Sequence, residues 1–584
     1  MFSKHAKTTV SLVGLSALVL ASAVVAATPL STAQGAQAEA ATTAVQAADG
    51  THARGDFLVL FRGRTADPAA RKAIARSGGT ITEVNAKLGY AFVRSRDSGF
   101  VTAMNASGTV AGVARDRAIG TVRQSRAKAS DIERLTRERK SAPGQGVADA
   151  ATAAPTATGV TPEPLASRQW DMRQIGATAA GSYAVDQGSK KVLVGVIDTG
   201  IDGTHPDIAP NFSRTLSRNF VTDMVDIDGP CEHPSCIDPV NEDDDGHGTH
   251  VASTIGSPIN GLGIAGVAPN VTLVNIRAGQ DSGYFFLKAT LDALTYAGDI
   301  GVDVVNMSFY TDPWLYNCTN NPADSPAEQA EQRTIRQATQ RALNYAVHRG
   351  VLPVAAMGNE ATDLNHPTSD DTSPDYPVDA AHPRTVDNSC ISVPTESKGV
   401  MAVSSVGPST RLAYYSNYGT EQTDVSAPGG DYYDSATNTG NPENLVLAAY
   451  PSALAEANGE LNPDGTPNTP FVVRDCKGSV CAYYQYLQGT SMAAPHAVGV
   501  AALAVSRWGH RDHHGGLRLS PRSTARHVYA SARKLPCPQP RLFHYTRILA
   551  SGTVVESDSR CAGPSAKNGF YGRGLVNAFA VLRH

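Results

Sequence analysis

Three widely separated stretches of the sequence carry a carboxylate, an imidazole and a hydroxyl in settings that favour nucleophilic catalysis. Asp198 ends the apolar run VGVID, His247 lies between glycines in DGHGTHVAS, and Ser491 lies in GTSMAAPH. A serine hydroxyl is a weak nucleophile until a base removes its proton, and the base needs a buried anion to orient it. We therefore predict Ser491 as nucleophile, His247 as base and Asp198 as the orienting anion.

Each motif taken alone has a plainer structural interpretation. Asp198 could cap a helix or a turn, and Ser491 could cap the helix that follows it. His247 and His250 could bind a metal together with the acidic run 243–245, but no third ligand stands at a defined spacing. His250 is therefore interpreted as a structural histidine, and the catalytic reading depends on the three motifs occurring together.

The chain from about residue 168 onward alternates apolar runs with helical periodicity. Runs typical of strands buried on both faces span residues 191–197, 271–276, 303–307 and 351–356. Between them, residues 287–294 and 335–347 place apolar side chains on one face of a helix. This alternation predicts a parallel sheet covered by helices, with active groups at the carboxyl ends of its strands.

In their chain order, the stretches around Asp198, His247 and Ser491 resemble the three signature motifs of the subtilisin-like serine peptidases. The resemblance covers about residues 168–584, and GFYGRGLVNA at 569–578 is similar to the closing segment of that family. It implies an α/β fold of three layers, with a mostly parallel sheet flanked by helices. It also implies an endopeptidase that hydrolyses peptide bonds in proteins through an acyl-enzyme intermediate.

The same resemblance suggests an oxyanion hole and a set of substrate-binding residues. Asn359, in AAMGNE, falls where the family places the side-chain amide that binds the oxygen of the tetrahedral intermediate, together with the backbone N–H of Ser491. The substrate-binding residues that the resemblance implies are Ser308, Phe309, Ala356 and Gly358.

Substrate is expected to lie as an extended strand along Val305–Ser308, exchanging main-chain hydrogen bonds. Phe309, Tyr310 and Met357 are larger than the residues that many relatives carry around the first specificity pocket. These side chains could narrow the pocket, so we carry over no preference for large apolar side chains.

The chemistry itself requires no cofactor, whereas a structural calcium ion is a weaker expectation. The family often holds an ion near the acidic residue of its first motif, here Asp207. The segment 256–263 is short for the loop that completes that site, which counts against it. The acidic run 243–245 is interpreted as a solvated loop.

The sequence divides into five predicted regions. Residues 1–27 have the basic start, apolar stretch and small residues of a signal peptide, and a retained membrane anchor is the alternative. A disordered segment is predicted for 28–55, and a small α+β, ferredoxin-like unit that resembles the family's inhibitory propeptide for 56–123. A linker spans 124–167, and the peptidase domain spans 168–584.

Within the α+β unit we predict a strand at 57–61, a helix at 68–77 and a second strand at 86–94. The unit is expected to assist folding, to occupy the substrate groove and to be removed by self-cleavage.

Composition limits the classes of partner. With 41% hydrophobic residues, 18% charged residues and a formal charge of −4, the chain is globular and gives no sign of nucleic-acid binding. We expect protein or peptide substrates, the propeptide as an intramolecular inhibitor, no stable membrane association and a monomer. The competing functions are a catalytically silent extracellular binding module of the same fold and an esterase-type serine hydrolase.

Cysteine usage fits the secreted, extracellular location that the signal peptide predicts. The chain has eight cysteines, and export into an oxidising compartment permits disulfides. Cys231 with Cys236 and Cys476 with Cys481 would each close a tight loop. Cys318, Cys390, Cys537 and Cys561 leave their pairing open.

Overall fold

The computed structural model describes residues 55–63, 68–118, 133, 159–377, 380–511 and 515–584. The predicted signal peptide and the predicted disordered segment lie outside these residues except for Gly55, as does most of the predicted linker. Within the described ranges, no helix is both long and apolar enough to span a bilayer.

The N-terminal folded segment is a small α+β unit with four antiparallel strands in the order β2-β3-β1-β4. Its elements in chain order are β1 Gly55–Phe61, α1 Pro68–Arg76, β2 Gly79–Asn85, β3 Tyr90–Ser95, α2 Phe100–Ala106 and β4 Val110–Ala118. The predicted α+β class is confirmed.

The sequence-based assignment inside this unit was wrong in one place. We predicted one strand at 86–94, whereas β2 occupies 79–85 and β3 begins at Tyr90. Strand β2 is an edge strand with mostly exposed polar side chains, so it lacks the apolar run that marks a buried strand.

The larger part of the chain is built on a seven-stranded sheet in the order β13-β12-β9-β8-β5-β7-β6, and every neighbouring pair is parallel. Its strands are β5 Leu193–Ile197, β6 Arg218–Asn219, β7 Thr272–Arg277, β8 Val304–Met307, β9 Leu352–Ala356, β12 Met401–Val406 and β13 Val425–Pro428. The predicted parallel sheet flanked by helices is confirmed.

Smaller antiparallel sheets lie outside this seven-stranded sheet. Their strands are β10 Ser369–Asp370, β11 Arg384–Thr385, β14 Val446–Ala449, β15 Val472–Lys477, β16 Val480–Leu487, β17 His510–Arg511, β18 Leu517–Arg518, β19 Leu542–Ile548 and β20 Val554–Arg560. The remaining helices are α3 Trp170–Ile175, α4 His247–Gly256, α5 Leu287–Ile300, α6 Pro326–His348, α7 Ser452–Ala457, α8 Thr490–Trp508 and α9 Pro521–Ser531.

Two apolar cores lie on the two faces of the large sheet. One contains α4 and α8, which are buried along nearly their whole length. The other contains α5 and α6, whose apolar stripes face the strands. Because helices cover both faces, the strands are apolar throughout, which explains why they were visible in the sequence.

The α+β unit packs against the outer surface of α5 and α6. Its Leu58 and Phe92 belong to the same apolar cluster as Leu291 and Ile335. The Arg341 guanidinium of α6 donates a 2.9 Å hydrogen bond to the carbonyl of the last β1 residue. The unit is thus held by both apolar and polar contacts.

The eight cysteines form four disulfides, which are Cys231–Cys236, Cys318–Cys390, Cys476–Cys481 and Cys537–Cys561. The two predicted tight loops are confirmed, and the structure resolves the pairing of the other four cysteines.

Candidate active site

Asp198 and His247 meet at the carboxyl end of β5. The Asp198 side chain is fully buried, and its Oδ1 lies 2.7 Å from His247 Nδ1. The same oxygen accepts a 2.8 Å hydrogen bond from the backbone N–H of Thr199. With Nδ1 donating to the carboxylate, His247 Nε2 is left to face the cleft.

The close fit between α4 and the turn after β5 holds this pair together. His247 is the first residue of α4, and the next residue, Gly248, donates from its backbone N–H to Thr199 Oγ1 at 3.0 Å. A Cβ on Gly248 would lie 2.1 Å from the carbonyl oxygen of Gly200. The glycine is therefore needed for the helix to approach Asp198.

Ser491 is the second residue of α8, and Ser308 secures its backbone. Pro495 lies four residues further along the helix and has no N–H to donate to the Ser491 carbonyl. The Ser308 hydroxyl donates to that carbonyl instead, at 3.0 Å. Asn306 in turn donates from Nδ2 to Ser308 Oγ at 2.9 Å, so Ser308 positions the start of α8.

Asn359 lies on the loop after β9 and points its amide N–H group at the same cleft. Its Oδ1 accepts hydrogen bonds from the backbone N–H and the hydroxyl of Thr490, both at 2.9 Å. These two donors fix the orientation of the amide, so that Nδ2 faces the cleft. Gly358, at φ +102°, allows the turn that places Asn359 beside α8.

Glu133 joins these groups, although it lies in the region predicted to be a linker. Its Oε1 accepts a 2.6 Å hydrogen bond from Ser491 Oγ and a 3.0 Å hydrogen bond from Asn359 Nδ2. Its Oε2 lies 3.6 Å from His247 Nε2. The carboxylate of Glu133 therefore stands between the predicted nucleophile and the predicted base.

These contacts change the protonation of His247. Burial alone would lower the pKa of this imidazole, but the charge and hydrogen bond of Asp198, followed by the charge of Glu133, outweigh burial and raise the pKa to about 10. In this state the imidazole is protonated at neutral pH and cannot accept a proton from Ser491.

The site opens into a cleft of about 240 Å³. All four predicted substrate-binding residues line it, namely Ser308, Phe309, Ala356 and Gly358. The Phe309 ring stacks on Phe285 at a centroid distance of 4.2 Å, and Tyr310 lines the cleft while donating its hydroxyl to Asp375 at 2.7 Å. Two aromatic side chains thus form part of the wall.

Two predictions about the substrate groove need correction. The residues Val305–Met307 belong to β8, which is paired on both sides by β5 and β9, so they cannot receive a further strand. Of the predicted stretch, only Ser308 lies beyond this doubly paired strand. Met357 is 1% exposed, lies in an apolar cluster with Leu364 and does not line the cleft, so its side chain does not narrow the cleft directly.

The neighbouring His250 and the calcium candidate Asp207 both have structural partners. His250 Nε2 lies 3.2 Å from the carbonyl of Val446, and burial lowers the pKa of this imidazole to about 3. Asp207 accepts hydrogen bonds from Asn260 Nδ2, the Ile264 N–H and the Tyr484 hydroxyl, at 3.1–3.2 Å. A carboxylate surrounded by donors does not fit a calcium site.

Glu133 is the residue that sequence reasoning missed. It stands in the stretch DIERL, which has no motif, and 358 residues separate it from Ser491. Only the folded chain brings it to the cleft.

Comparisons with known proteins agree with this geometry. The family model described as the Subtilase family matches residues 189–545. The chain is 30% identical over 327 residues to the thermophilic serine proteinase of Bacillus sp. (strain AK1), covering 56% of this chain and 55% of that protein. It is 29% identical over 317 residues to subtilisin DY of Bacillus licheniformis, covering 54% of this chain and 77% of that protein.

A solved structure shares the fold over nearly the whole chain. The epidermin leader peptide processing serine protease (EpiP) of Staphylococcus aureus superposes with a TM-score of 0.56 at 20% identity, covering 91% of this chain and 98% of that chain. At this level of identity the likeness describes the fold.

The parallel sheet and the matching family model together place the chain in the subtilisin-like class of serine peptidases. The chain belongs to the subtilase family. The predicted family is therefore confirmed. The chain spans about half the length of the first of these relatives and about three quarters of the second.

Proposed function

We propose that this protein is a secreted endopeptidase that cleaves proteins or peptides through an acyl-enzyme intermediate on Ser491. One observation carries the proposal. A single oxygen, Glu133 Oε1, lies within hydrogen-bond reach of both Ser491 Oγ and Asn359 Nδ2. In the same site, His247 is hydrogen-bonded to the buried Asp198. A negatively charged oxygen is thus held beside the nucleophile, where an oxyanion hole is required.

In the proposed reaction, a substrate carbonyl takes the place of the Glu133 carboxylate. Ser491 Oγ attacks the carbonyl carbon as its proton passes to His247 Nε2, and Asp198 stabilises the imidazolium. Asn359 Nδ2 donates to the oxyanion, and His247 then gives its proton to the leaving amine. Water then attacks the acyl carbon and loses a proton to His247. The bond between that carbon and Ser491 Oγ breaks, and His247 returns the proton to Ser491 Oγ, so the acid is released and both side chains are regenerated.

We further infer that the chain is made as a self-inhibited precursor that processes itself. Two contacts support this. The Glu133 carboxylate occupies the space that the reacting carbonyl needs, and the α+β unit before it packs on α5 and α6. Both parts precede the peptidase domain in the chain, so cleavage after Glu133 would free the cleft. Four disulfides support an oxidising, extracellular destination.

The test compares Ser491→Ala with the wild type and with Ser551→Ala, which changes an exposed serine in a turn. We expect the purified Ser491→Ala precursor to remain uncut and casein hydrolysis to fall by about 10⁶ in kcat. Wild type and Ser551→Ala should both be processed and active. Processing of pure Ser491→Ala at the wild-type rate would rule out self-cleavage, and full casein activity in that variant would rule out the proposed nucleophile.

A further inference from the structure

A buried ion pair joins α8, the helix that carries Ser491, to α3, the first α-helix of the predicted peptidase domain. His496 Nε2 lies 3.0 Å from Asp171 Oδ2, and both side chains are fully buried. The two residues are 325 positions apart in the chain. Neither of them lines the cleft, and the proposed catalytic reaction uses neither.

His496 also contacts the residue that follows the nucleophile. Its Nδ1 lies 2.8 Å from the carbonyl oxygen of Met492. A carbonyl oxygen can only accept, so Nδ1 donates to it, and Nε2 donates to the carboxylate of Asp171. An imidazole that donates from both nitrogens carries a positive charge, so both contacts are charge-assisted hydrogen bonds. Asp171 therefore fixes the ring in the orientation that reaches Met492.

This contact matters because Pro495 weakens the first turn of α8. Pro495 has no N–H to donate to the Ser491 carbonyl, and the Ser308 hydroxyl donates to it instead at 3.0 Å. His496 donates in the same way to the next carbonyl, that of Met492. Side chains thus hold two successive carbonyls of the turn that carries the nucleophile.

The residue before Asp171 makes a second connection between α3 and this turn. The Trp170 ring packs against the same buried apolar cluster that contains Met492. Its Nε1 donates a 2.9 Å hydrogen bond to the Leu445 carbonyl, which fixes the ring in place. Two neighbouring residues of α3 therefore act on Met492, one by packing and the other through His496.

The ion pair is costly to bury, which argues against a role in stability alone. Asp171 Oδ1 is buried without a hydrogen-bond partner among the described residues. A buried ion pair adds little to stability unless hydrogen bonds satisfy its remaining atoms. A fixed arrangement of the two helices is what this pair provides.

We propose that Asp171 is a positioning residue for Ser491. By orienting His496 it holds the Met492 carbonyl, and with it the first turn of α8, so that Ser491 Oγ stays within reach of His247. This inference rests on the proposed function, because it takes Ser491 as the nucleophile. The predicted substrate-binding residues lie at the ends of β8 and β9 rather than on α8, so a displaced turn slows the reaction more than it weakens substrate binding.

The test compares Asp171→Asn with the wild type, each expressed as the full chain and isolated after processing. Asparagine keeps the shape of aspartate and removes its charge. A serine-directed fluorophosphonate counts the reactive sites, so that kcat for a peptide substrate is expressed per labelled Ser491. We expect this kcat to fall about tenfold while KM changes by less than about threefold. A role in stability alone would lower Tm and the labelled fraction but leave kcat per labelled serine unchanged.

Asp186→Asn is the matched control. Asp186 also accepts a hydrogen bond from α8, but from the Ser506 hydroxyl, at 3.2 Å and close to the last residue of the helix. This variant removes a carboxylate from the same helix without touching its first turn. It should keep the wild-type kcat and KM.

A second variant keeps the test valid if the first does not fold. Asp171→Asn leaves the charge of His496 without a carboxylate, and breaking a buried ion pair in this way can be strongly destabilising. The double variant Asp171→Asn/His496→Gln contains neither charge. It is then measured in the same way, with the same expected fall in kcat.

Three results would overturn the proposal. They are a wild-type kcat per labelled serine in the variant that folds, a loss confined to KM, and an equal loss of kcat in Asp186→Asn. Failure of the proposed function would look different, because the wild type itself would then cleave substrate without any label on Ser491.

Discussion

At the scale of single residues, one carboxylate from outside the three motifs enters the candidate active site. Glu133 accepts hydrogen bonds from both Ser491 and Asn359, the two groups that a substrate carbonyl would meet. Its negative charge also adds to that of Asp198 in favouring a protonated His247. In the precursor that we propose, the site would be blocked in two ways, because the oxyanion space is filled and the predicted base already carries its proton.

The raised pKa of His247 leads to a prediction about pH. His247 has its pKa raised from the usual 6.5 to about 10, so its ion pair stabilises the folded chain fully below pH 6.5, and that stabilisation is lost as pH rises through about 10. Removing the charge of Glu133 removes one cause of the rise. In a Ser491→Ala background, Glu133→Gln should therefore lower the pKa of His247, measured by NMR titration of its ring protons.

Glu456→Gln is the matched control, since it removes an exposed carboxylate on α7. The pKa of His247 should stay unchanged in that variant. An equal His247 pKa in Glu133→Gln and in the parent would show that the Glu133 contact does not form in solution.

At the scale of secondary-structure elements, the site depends on how closely α4 approaches the end of β5. The first turn of α4 carries His247, and Gly248 faces the backbone of the turn after β5 with no room for a Cβ. A shift of this helix would lengthen the distance between His247 Nδ1 and Asp198 Oδ1, although neither residue is itself changed.

Gly248→Ala should therefore lower kcat on the order of 10²-fold, because a displacement of about 1 Å in a catalytic group can cost that much. The measurement is steady-state cleavage of a peptide substrate. Gly569→Ala is the control, since its added Cβ would meet its nearest neighbour at 3.5 Å, an ordinary contact. A fully active Gly248→Ala enzyme would show that the fit of α4 against β5 is not required.

The elements also show what the sequence can and cannot predict. Strands β5, β7, β8 and β9 were predicted because they are buried on both faces and carry continuous apolar runs. The polar edge strand β2 left no such run and was missed. The misplaced substrate strand at Val305–Met307 had a different cause, because a sequence does not reveal which strand is central and already paired on both sides.

The residues of the candidate active site also differ in whether the sequence reveals them. The three predicted catalytic residues stand in short local motifs, which a reader of the sequence can find. Glu133 has no such motif, since its partners lie far away along the chain. Long-range contacts of this kind required the folded structure.

At the scale of the whole molecule, disulfides hold segments that border the cleft. Cys318–Cys390 joins residues 72 positions apart, and beside it Asn317 and Ile391 exchange two backbone hydrogen bonds. Ser392 and Thr395, which follow this bridge, line the cleft. By contrast, Cys476–Cys481 closes a separation of only 5 residues at a hairpin.

Loop-closure entropy predicts that these two disulfides contribute unequally to the free energy of unfolding. Replacing both Cys318 and Cys390 by serine should lower the free energy of unfolding by about 4 kcal/mol, whereas the same change at Cys476 and Cys481 should cost about 2 kcal/mol. Urea unfolding of both double variants in the Ser491→Ala background measures the difference. If removing Cys476–Cys481 lowered the free energy of unfolding more than removing Cys318–Cys390, this explanation would be contradicted.

The most direct test of the central claim is to find the serine that reacts. A serine-directed fluorophosphonate is added to the processed protein, and the labelled peptide is identified by mass spectrometry. We predict a single adduct on Ser491, formed together with the loss of casein cleavage and strongly reduced in His247→Ala. Casein cleavage that continues while Ser491 stays unlabelled, or an inactivating adduct on another serine, would contradict the account.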